Sequence, residues 1–326
     1  MKPDLQTLLA RLWAPFLVEG LVRLTGGASQ ETWCFDLVRP GGRERLVLRR
    51  RVGEAPEAAS AAIGLGQEAA LIRLAAARGV TVPVVRRICV PGDGLGEAII
   101  LSFVAGETLG RRIVASPQFA LVRPGLAAQC GGALAGIHGI ETDAALALPV
   151  LDAAGTLAWY EGIYRRSFAC RPVLELAFRV LGDAVPASAP QRLVHGDFRT
   201  GNLMVDPAAG LVAVLDWELA HIGDPAEDFG WLCVNSWRFG ATEHAVGGVG
   251  ALPALLDAYE RAGGEPPSLP RIRYWQALGS LKWAVMCLMM YEIFRSGVDP
   301  GLERAAIGRR VSECEADLLA LMEQAL

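Results

Sequence analysis

The sequence predicts an α+β chain in two lobes: a five-stranded antiparallel sheet with one main helix over residues 1–104, and a mostly helical lobe over 105–326. Three observations predict it. Apolar runs of strand length, divided by Gly, Pro and Asp turns, crowd the first hundred or so residues. Beyond residue 107 the apolar spacing changes to that of helices. Inside the helical part, residues 203–205 and 211–215 form one hairpin around the turn Asp206-Pro207-Ala208-Ala209-Gly210, with polar residues at both ends. A chain of 326 residues is long enough to bury more than one core.

In chain order, residues 1–15 read as a short amphipathic helix packed on the body, not as a targeting segment. Strand-like runs follow at 20–24, 32–38 and 45–50, divided by Thr25-Gly26-Gly27-Ala28-Ser29 and Pro40-Gly41-Gly42. A connection such as Gly26, Gly27, Ala28 and Ser29 between antiparallel strands can lay backbone N–H groups over phosphates. A plain flexible hairpin has the same composition. Residues 66–78 read as a helix whose Leu71, Ile72, Leu74 and Ala75 pack on the sheet. Runs at 84–90 and 97–104, around Pro91-Gly92-Asp93-Gly94, complete five strands before Ala105-Gly106-Glu107 breaks the pattern. Helical stretches follow at 124–140 and 155–182.

Composition narrows the class of partner. The net charge of −4 argues against nucleic acid. Seven Cys with no CxxC pair fit reduced thiols in a cytoplasmic protein. No signal peptide opens the chain, and the apolar run 283–290 is too short to span a bilayer, so no membrane partner is expected. Lys2 and Lys282 are the two lysines beside an otherwise Arg-based set of cations.

The string LVHGDFRTGNLMVD at 193–206 and VLDWE at 214–218 gather His195, Asp197, Asn202 and Asp216 around the hairpin. These are the residue types that metal-assisted phosphoryl transfer needs. Such a reaction asks for a carboxylate to orient the attacking hydroxyl and oxygen ligands for Mg²⁺. Asp197 suits the first role; Asn202 and Asp216 suit the second, since Mg²⁺ favours few carboxylates with neutral oxygens and water. His195 has no second His at ligand spacing and reads as a side chain that holds the loop.

The pattern HGDxxxxN followed by an apolar-Asp-Trp-Glu segment and AHIGDPAEDFGWL resembles the aminoglycoside phosphotransferase family, which shares the protein kinase fold. Together with VLRR it is most similar to bacterial phosphotransferases resembling the kinase-like domain of certain acyl-CoA dehydrogenases. The resemblance implies a protein kinase-like two-lobed fold and an ATP- and Mg²⁺-dependent transfer to a small hydroxylated molecule, with GTP as the alternative donor. LVLR at 46–49 resembles the element that ends in a phosphate-pairing Lys, with Arg49 in its place. Arg keeps the charge and changes the geometry. Arg50 would point to the opposite face and is the alternative. The implied helix partner is Glu68, which an ordinary first-turn carboxylate would also explain.

By position, Leu101 resembles the residue guarding the nucleotide base, while Ser102 and Val104 resemble the main-chain adenine contacts of the hinge. Arg199, two positions after Asp197, would stabilise charge on the moving phosphate, or else face solvent. His138 reads as a packed histidine. Asp224 would cap the next helix, and Asp228 would orient the catalytic loop.

The acceptor is the least legible part. Glu243, Asp257, Glu260, Glu292 and Glu303 are scattered, and do not form the acidic patch that a polycationic aminoglycoside would require. An aromatic and Met-rich set, Trp231, Trp237, Tyr274, Trp275, Trp283, Met286, Met289, Met290, Tyr291 and Phe294, fits a core by its helical spacing. If part of it lines a cleft, it favours a flatter or more apolar hydroxylated acceptor; the resemblance to kinase-like domains of acyl-CoA dehydrogenases implies a hydroxyacyl compound or other small alcohol. The alternatives are a true aminoglycoside 3'-type phosphotransferase and a catalytically weak nucleotide-binding regulatory module. A protein kinase fits less well, because no activation-loop ending follows Asp216. A monomer or homodimer is expected.

Overall fold

The computed structural model describes residues 4–24, 30–51, 62–167 and 169–325. Gly26, Gly27, Ala28 and Ser29, the expected phosphate-covering connection, lie outside the described residues. Asp4 caps α1 (Leu5–Trp13) by accepting the Thr7 N–H at 2.7 Å. β1 (Leu17–Leu24), β2 (Glu31–Arg39), β3 (Gly42–Arg50), α2 (Leu65–Ala77), β4 (Val85–Ile88) and β5 (Ala98–Ser102) follow. The strands form one antiparallel sheet in the order β1-β2-β3-β5-β4.

The two-residue period of the strands decides what each face carries. Phe35, Leu37, Leu46, Leu48, Ala98 and Ile100 point to one face, where they bury Leu9 of α1. Ile99 and Leu101 point to the other, against Leu65 and Ile72 of α2. Because Leu48 faces α1, Arg49 faces α2; Arg50, on the opposite side, bonds Glu31 through Nε at 2.8 Å. A fully buried leucine such as Leu9 contributes about 1.5–3 kcal/mol relative to exposure.

The second lobe comprises α3 (Gly110–Ala115), α4 (Arg123–His138), α5 (Ala153–Arg166), α6 (Pro172–Asp183), β6 (Arg192–Val194), β7 (Leu203–Asp206), β8 (Gly210–Val214), β9 (His221–Gly223), α7 (Ala226–Leu232), α8 (Leu252–Arg261), α9 (Leu269–Arg295), α10 (Leu302–Gly308) and α11 (Val311–Ala325). The expected hairpin is β7 and β8. β6, just before the loop that carries Asp197, is a strand because it pairs with β9, some thirty positions away by sequence, a pairing no local pattern announces. One core runs from α2 and β5 through α4 and the hairpin to Trp217 and Phe229, joining the lobes. A second is built by α5, α6, α9 and α11.

The apolar run 283–290 belongs to a longer element than expected. Among the described residues α9 alone, with 27 residues, is long and apolar enough to cross a membrane by length and composition. Residues Tyr274, Trp275, Leu278, Leu281, Val285 and Leu288 on it are buried within the second core. The aromatic set is accordingly mostly core: Trp231, Trp237, Tyr274 and Trp275 are buried, while Tyr291 is exposed.

α7 approaches α9 at Gly230, where a Cβ would meet the Trp275 backbone carbon at 2.5 Å. Neither helix can yield without opening the core. Gly230→Ala is expected to lower stability by about 1–3 kcal/mol through overpacking, measured as a shift in the urea midpoint; an unshifted midpoint contradicts this packing.

Candidate active site

The site is assembled where the loop after β6 meets the loop after β8. Gly196 adopts φ +77, and a Cβ there would strike the Leu219 carbonyl, so the loop turns at glycine. His195 is fully buried. Its Nε2 donates to the Leu215 carbonyl at 3.1 Å and its Nδ1 accepts the Asp197 N–H at 3.3 Å, which ties the two loops together. Burial pushes its pKa down, and so favours the neutral ring that this pattern requires. It holds the loop, as its sequence context implied.

Asp228, on α7 and fully buried, lies behind the loop. Its Oδ2 accepts the His195 N–H at 2.8 Å and its Oδ1 the Gly196 N–H at 3.0 Å. His138 of α4 reaches Oδ2 through Nε2 at 3.1 Å and meets the Tyr259 hydroxyl through Nδ1 at 3.0 Å. Burial alone would raise the Asp228 pKa; the His138 bond and the backbone N–H groups reverse that and bring it below the usual carboxylate value. Asp224 Oδ1 accepts the Ala226 N–H at the start of α7, and Oδ2 takes Arg271 Nε and Trp275 Nε1, each at 2.6 Å.

Asp197 is presented next to these anchors. Oδ1 accepts from Trp231 Nε1 at 2.7 Å and Arg199 Nε at 3.0 Å, and Oδ2 from Asn202 Nδ2 at 2.6 Å. A carboxylate offers about four lone-pair sites, so one remains among the described residues. Arg199 is only partly exposed: besides bonding Asp197, its guanidinium lies 4.7 Å from the Trp237 ring centroid. Asn202 closes a short 3₁₀ turn before β7, and its Nδ2 faces Asp197, so its Oδ1 is the oxygen left to bind elsewhere. Asp216 stands two residues beyond β8 with φ +64, in the left-handed region where Asp is better tolerated than most residues.

Arg49 joins this loop to the first lobe. Its Nη1 pairs with Glu68 Oε1, and its Nη2 bonds Asp216 Oδ1 at 2.8 Å. Burial opposes the Arg49 charge, but Glu68 and Asp216 outweigh it and raise its pKa. Burial drives Glu68 the other way, up to about 7, with Asp216 and Glu218 adding to the rise and Arg49 opposing it. The expected ion pair is therefore present, and it extends to the candidate metal ligand. Gln30 Nε2 to Glu218 Oε2 at 3.1 Å and the Ile63 N–H to the Glu218 carbonyl at 2.8 Å add further links between lobes.

At the hinge, the Ser102 N–H donates to the Val84 carbonyl and its Oγ accepts the Val84 N–H, tying β5 to the residue before β4. The Val104 N–H has no backbone partner among the described residues. Glu107 and Val205 exchange N–H and carbonyl bonds at 2.9 and 3.0 Å, which fastens the hinge to the hairpin.

The two candidate metal ligands offer free oxygens: Asn202 Oδ1 and Asp216 Oδ2 have no protein hydrogen-bond partner among the described residues. One neutral and one anionic oxygen fit a hard divalent cation that keeps water and phosphate in its remaining positions. No group of three or more His, Cys, Asp or Glu at metal-binding distance occurs among the described residues.

Two residues at the site were missed by the sequence analysis. Trp231, read there as core, donates to Asp197. Lys282, fully inside α9, donates from Nζ to the Gly196 carbonyl at 3.2 Å and lies 4.6 Å from the Trp231 ring centroid. Its rarity was the available signal, since one of two lysines sits in an apolar helical run.

A two-lobed fold with paired acidic loops below a five-stranded sheet defines a phosphotransferase-type architecture, and solved structures share it. A candidate aminoglycoside phosphotransferase from Ralstonia eutropha superposes with TM-score 0.74 at 21% identity, over 99% of this chain and 98% of its own. A choline/ethanolamine kinase family protein from Mesorhizobium loti gives 0.63 at 20%, over 98% and 96%. A thermostable mutant of aminoglycoside phosphotransferase APH(4)-Ia, in ternary complex with AMP-PNP and hygromycin B, gives 0.63 at 18%, over 98% of each. Residues 20–275 match the phosphotransferase enzyme family (APH), and the chain belongs to that family. By sequence it is also similar to acyl-CoA dehydrogenase family member 11 of Pongo abelii, 30% identical over 116 residues, or 33% of this chain and 15% of that protein. The probable acyl-CoA dehydrogenase IBR3 of Arabidopsis thaliana is 24% identical over 334 residues, or 92% and 39%. The chain thus spans only 15% and 39% of the length of these two relatives.

Asp228→Asn puts an amide N–H against backbone N–H donors and is expected to cost about 3 kcal/mol or more. The lowered pKa makes the sign of the pH effect definite. The carboxylate's contribution is full above its ordinary value near 4 and is lost as pH falls through the lower folded value. Urea titrations of both proteins should therefore differ by a constant amount between about pH 5 and 8 and converge below about 4; a difference that grows on acidification contradicts the assignment.

Proposed function

We propose that the protein is an ATP- and Mg²⁺-dependent O-phosphotransferase acting on a small hydroxylated molecule, with GTP as the alternative donor. One observation carries the proposal: Asp197, Asn202 and Asp216 converge on adjoining loops, and Asn202 Oδ1 and Asp216 Oδ2 are left without protein partners. The lobe over residues 1–104 would hold the nucleotide, with Gly26, Gly27, Ala28 and Ser29 over its phosphates, Arg49 and Glu68 beside them, and Ser102 and Val104 at its base. The lobe over 105–326 would supply the catalytic loop and the acceptor site.

Asn202 and Asp216 would hold Mg²⁺, which when bound screens the phosphate charge and orients the nucleotide. Asp197 orients the acceptor hydroxyl through its remaining lone pair and takes its proton. The acceptor oxygen forms a bond to the γ-phosphorus as the bond from that phosphorus to the β–γ bridging oxygen breaks, giving a phosphate ester and the nucleoside diphosphate. Arg199, held between Asp197 and Trp237, places a cation beside the moving group.

The catalytically weak regulatory module rested on Arg49 standing where Lys is usual. Arg49 is supported in the pairing role by its bonds to Glu68 and Asp216, so that reading loses its motive. The acyl-CoA dehydrogenase relatives support a hydroxyacyl compound as acceptor. The APH(4)-Ia neighbour, solved with hygromycin B, keeps an aminoglycoside acceptor as the competing choice.

The test is Mg²⁺-ATP turnover across aminoglycosides, sugars, choline-like alcohols, hydroxy acids and hydroxyacyl thioesters. Asp197→Ala is expected to lower acceptor-dependent turnover by about 10²–10⁴-fold while nucleotide still binds. Acceptor-dependent turnover that survives the substitution removes Asp197 from the mechanism.

A further inference from the structure

Beside the catalytic loop lies a cavity of about 190 Å³. That is room for about six water volumes, enough for a short-chain molecule. Leu151, Trp159 and Leu219 give it apolar walls, Gly196 brings it to the residue before Asp197, and Lys282, Thr156 and Tyr160 give it polar groups. We propose that this cavity is the acceptor subsite, in which Lys282 and Thr156 receive the acyl oxygen of a short hydroxylated acid, free or as a thioester. The proposal rests on the phosphotransferase reading, because the hydroxyl of such a molecule is what Asp197 would serve.

Lys282 carries the argument. An ammonium has three N–H donors; one goes to the Gly196 carbonyl at 3.2 Å. Glu227 Oε1 is 3.8 Å away, a loose contact, and its Oε2 is engaged by His221 Nε2 at 3.2 Å. His221 is itself satisfied, through Nδ1 and the Leu219 carbonyl at 2.9 Å. Trp231 covers one side of the ammonium with its ring face. Burial works against the charge, and Tyr160, Glu227, Asp197 and Asp228 outweigh it, so the Lys282 pKa is raised. A buried cation with spare donors beside a cavity is a site for an electronegative oxygen.

Thr156 is the independent observation. The residue is 6% exposed, and its Oγ1, itself buried, has no hydrogen-bond partner among the described residues. A buried hydroxyl left unpaired is costly unless something fills its need. Tyr160 lies with its ring 5.9 Å from Lys282 Nζ. The walls then select a hydrocarbon stretch between the acyl oxygen and the hydroxyl. Glu227 and His221 line the cavity as well, but the Glu227 carboxylate is shared between His221 and Lys282, so a cationic acceptor still meets the Lys282 ammonium in a low-dielectric pocket and is disfavoured.

The test uses the full chain with Mg²⁺ and ATP. Short hydroxy acids, their thioesters, diols of matched length and amino alcohols are titrated by calorimetry and by tryptophan fluorescence, then assayed for phosphate transfer. The expected result is that a hydroxy acid or its thioester binds about 10- to 100-fold tighter than the matched diol. Lys282→Met should erase that preference and Lys282→Arg should keep part of it. Whether the free acid or the thioester binds more tightly identifies the source of the acyl oxygen. If Lys282→Met does not fold, Thr156→Val, which keeps the shape, decides: a loss of about three- to tenfold for acyl compounds alone supports the site, and an equal effect on diols overturns it. Diols and acids binding alike, or transfer to amino alcohols alone, would overturn the subsite while leaving phosphoryl transfer in place. Lys282-dependent acid binding with no phosphate transferred to anything would support acyl-oxygen recognition and overturn the phosphotransferase reading.

Discussion

The buried contact of Arg49 with Glu68 and Asp216 is the constraint on which the rest of the site depends. Glu68 is fully buried and Arg49 nearly so, while Asp216 keeps partial access to water; the guanidinium is worth holding there only because both carboxyls meet it, since a buried ion that loses its partner costs several kcal/mol. That condition links three elements from different parts of the chain. β3 must keep its register so that Arg49 faces α2, α2 must bring Glu68 beneath it, and the loop after β8 must hold Asp216 at positive φ. Glu68 Oε2 has no hydrogen-bond partner among the described residues, in keeping with a carboxyl pushed up to about 7. The arrangement is electrostatically taut, and a divalent cation at Asp216 would add positive charge where two carboxylates now share one guanidinium.

On the other side, Asp228 does for the catalytic loop what Arg49 does for the lobes. It takes two consecutive backbone N–H groups and a histidine, and it rides on α7, which Gly230 lets press against α9. Asp197 is thereby set by packing as much as by its own bonds. Trp231, from the same helix, closes the circuit by donating to Asp197, and Lys282 braces Trp231 from α9. Asp197, the proposed proton acceptor, is thus connected by contact to the cavity proposed for the acceptor. Preorganisation of this kind lowers the cost of aligning donors as charge moves.

Much of the first lobe was legible because strands announce themselves through alternation. The same alternation assigned Arg49 and Arg50 to opposite faces, and the structure agrees. Asp197, Asn202 and Asp216 were legible from residue type and spacing on a local hairpin. What escaped was non-local. The β6–β9 pairing joins stretches separated by the whole hairpin, and nothing within residues 192–194 signals a strand. Trp231 and Lys282 have helical spacing that fits a core, which both also serve; their polar atoms reach the site only because α7 and α9 cross behind the loop. The cavity proposed for the acceptor draws Leu151, Thr156 and Lys282 from distant positions, which no local pattern in the sequence brings together.

The central claim is that the Asp197 loop and the Arg49 contact enclose a single phosphoryl-transfer centre. A crystal structure of the full chain with Mg²⁺ and AMP-PNP tests it most directly. The account predicts metal ligated by Asn202 Oδ1 and an Asp216 carboxylate oxygen, with the terminal phosphate between Asp197 and Arg199. Nucleotide bound elsewhere, or metal held by residues other than these two, would contradict it.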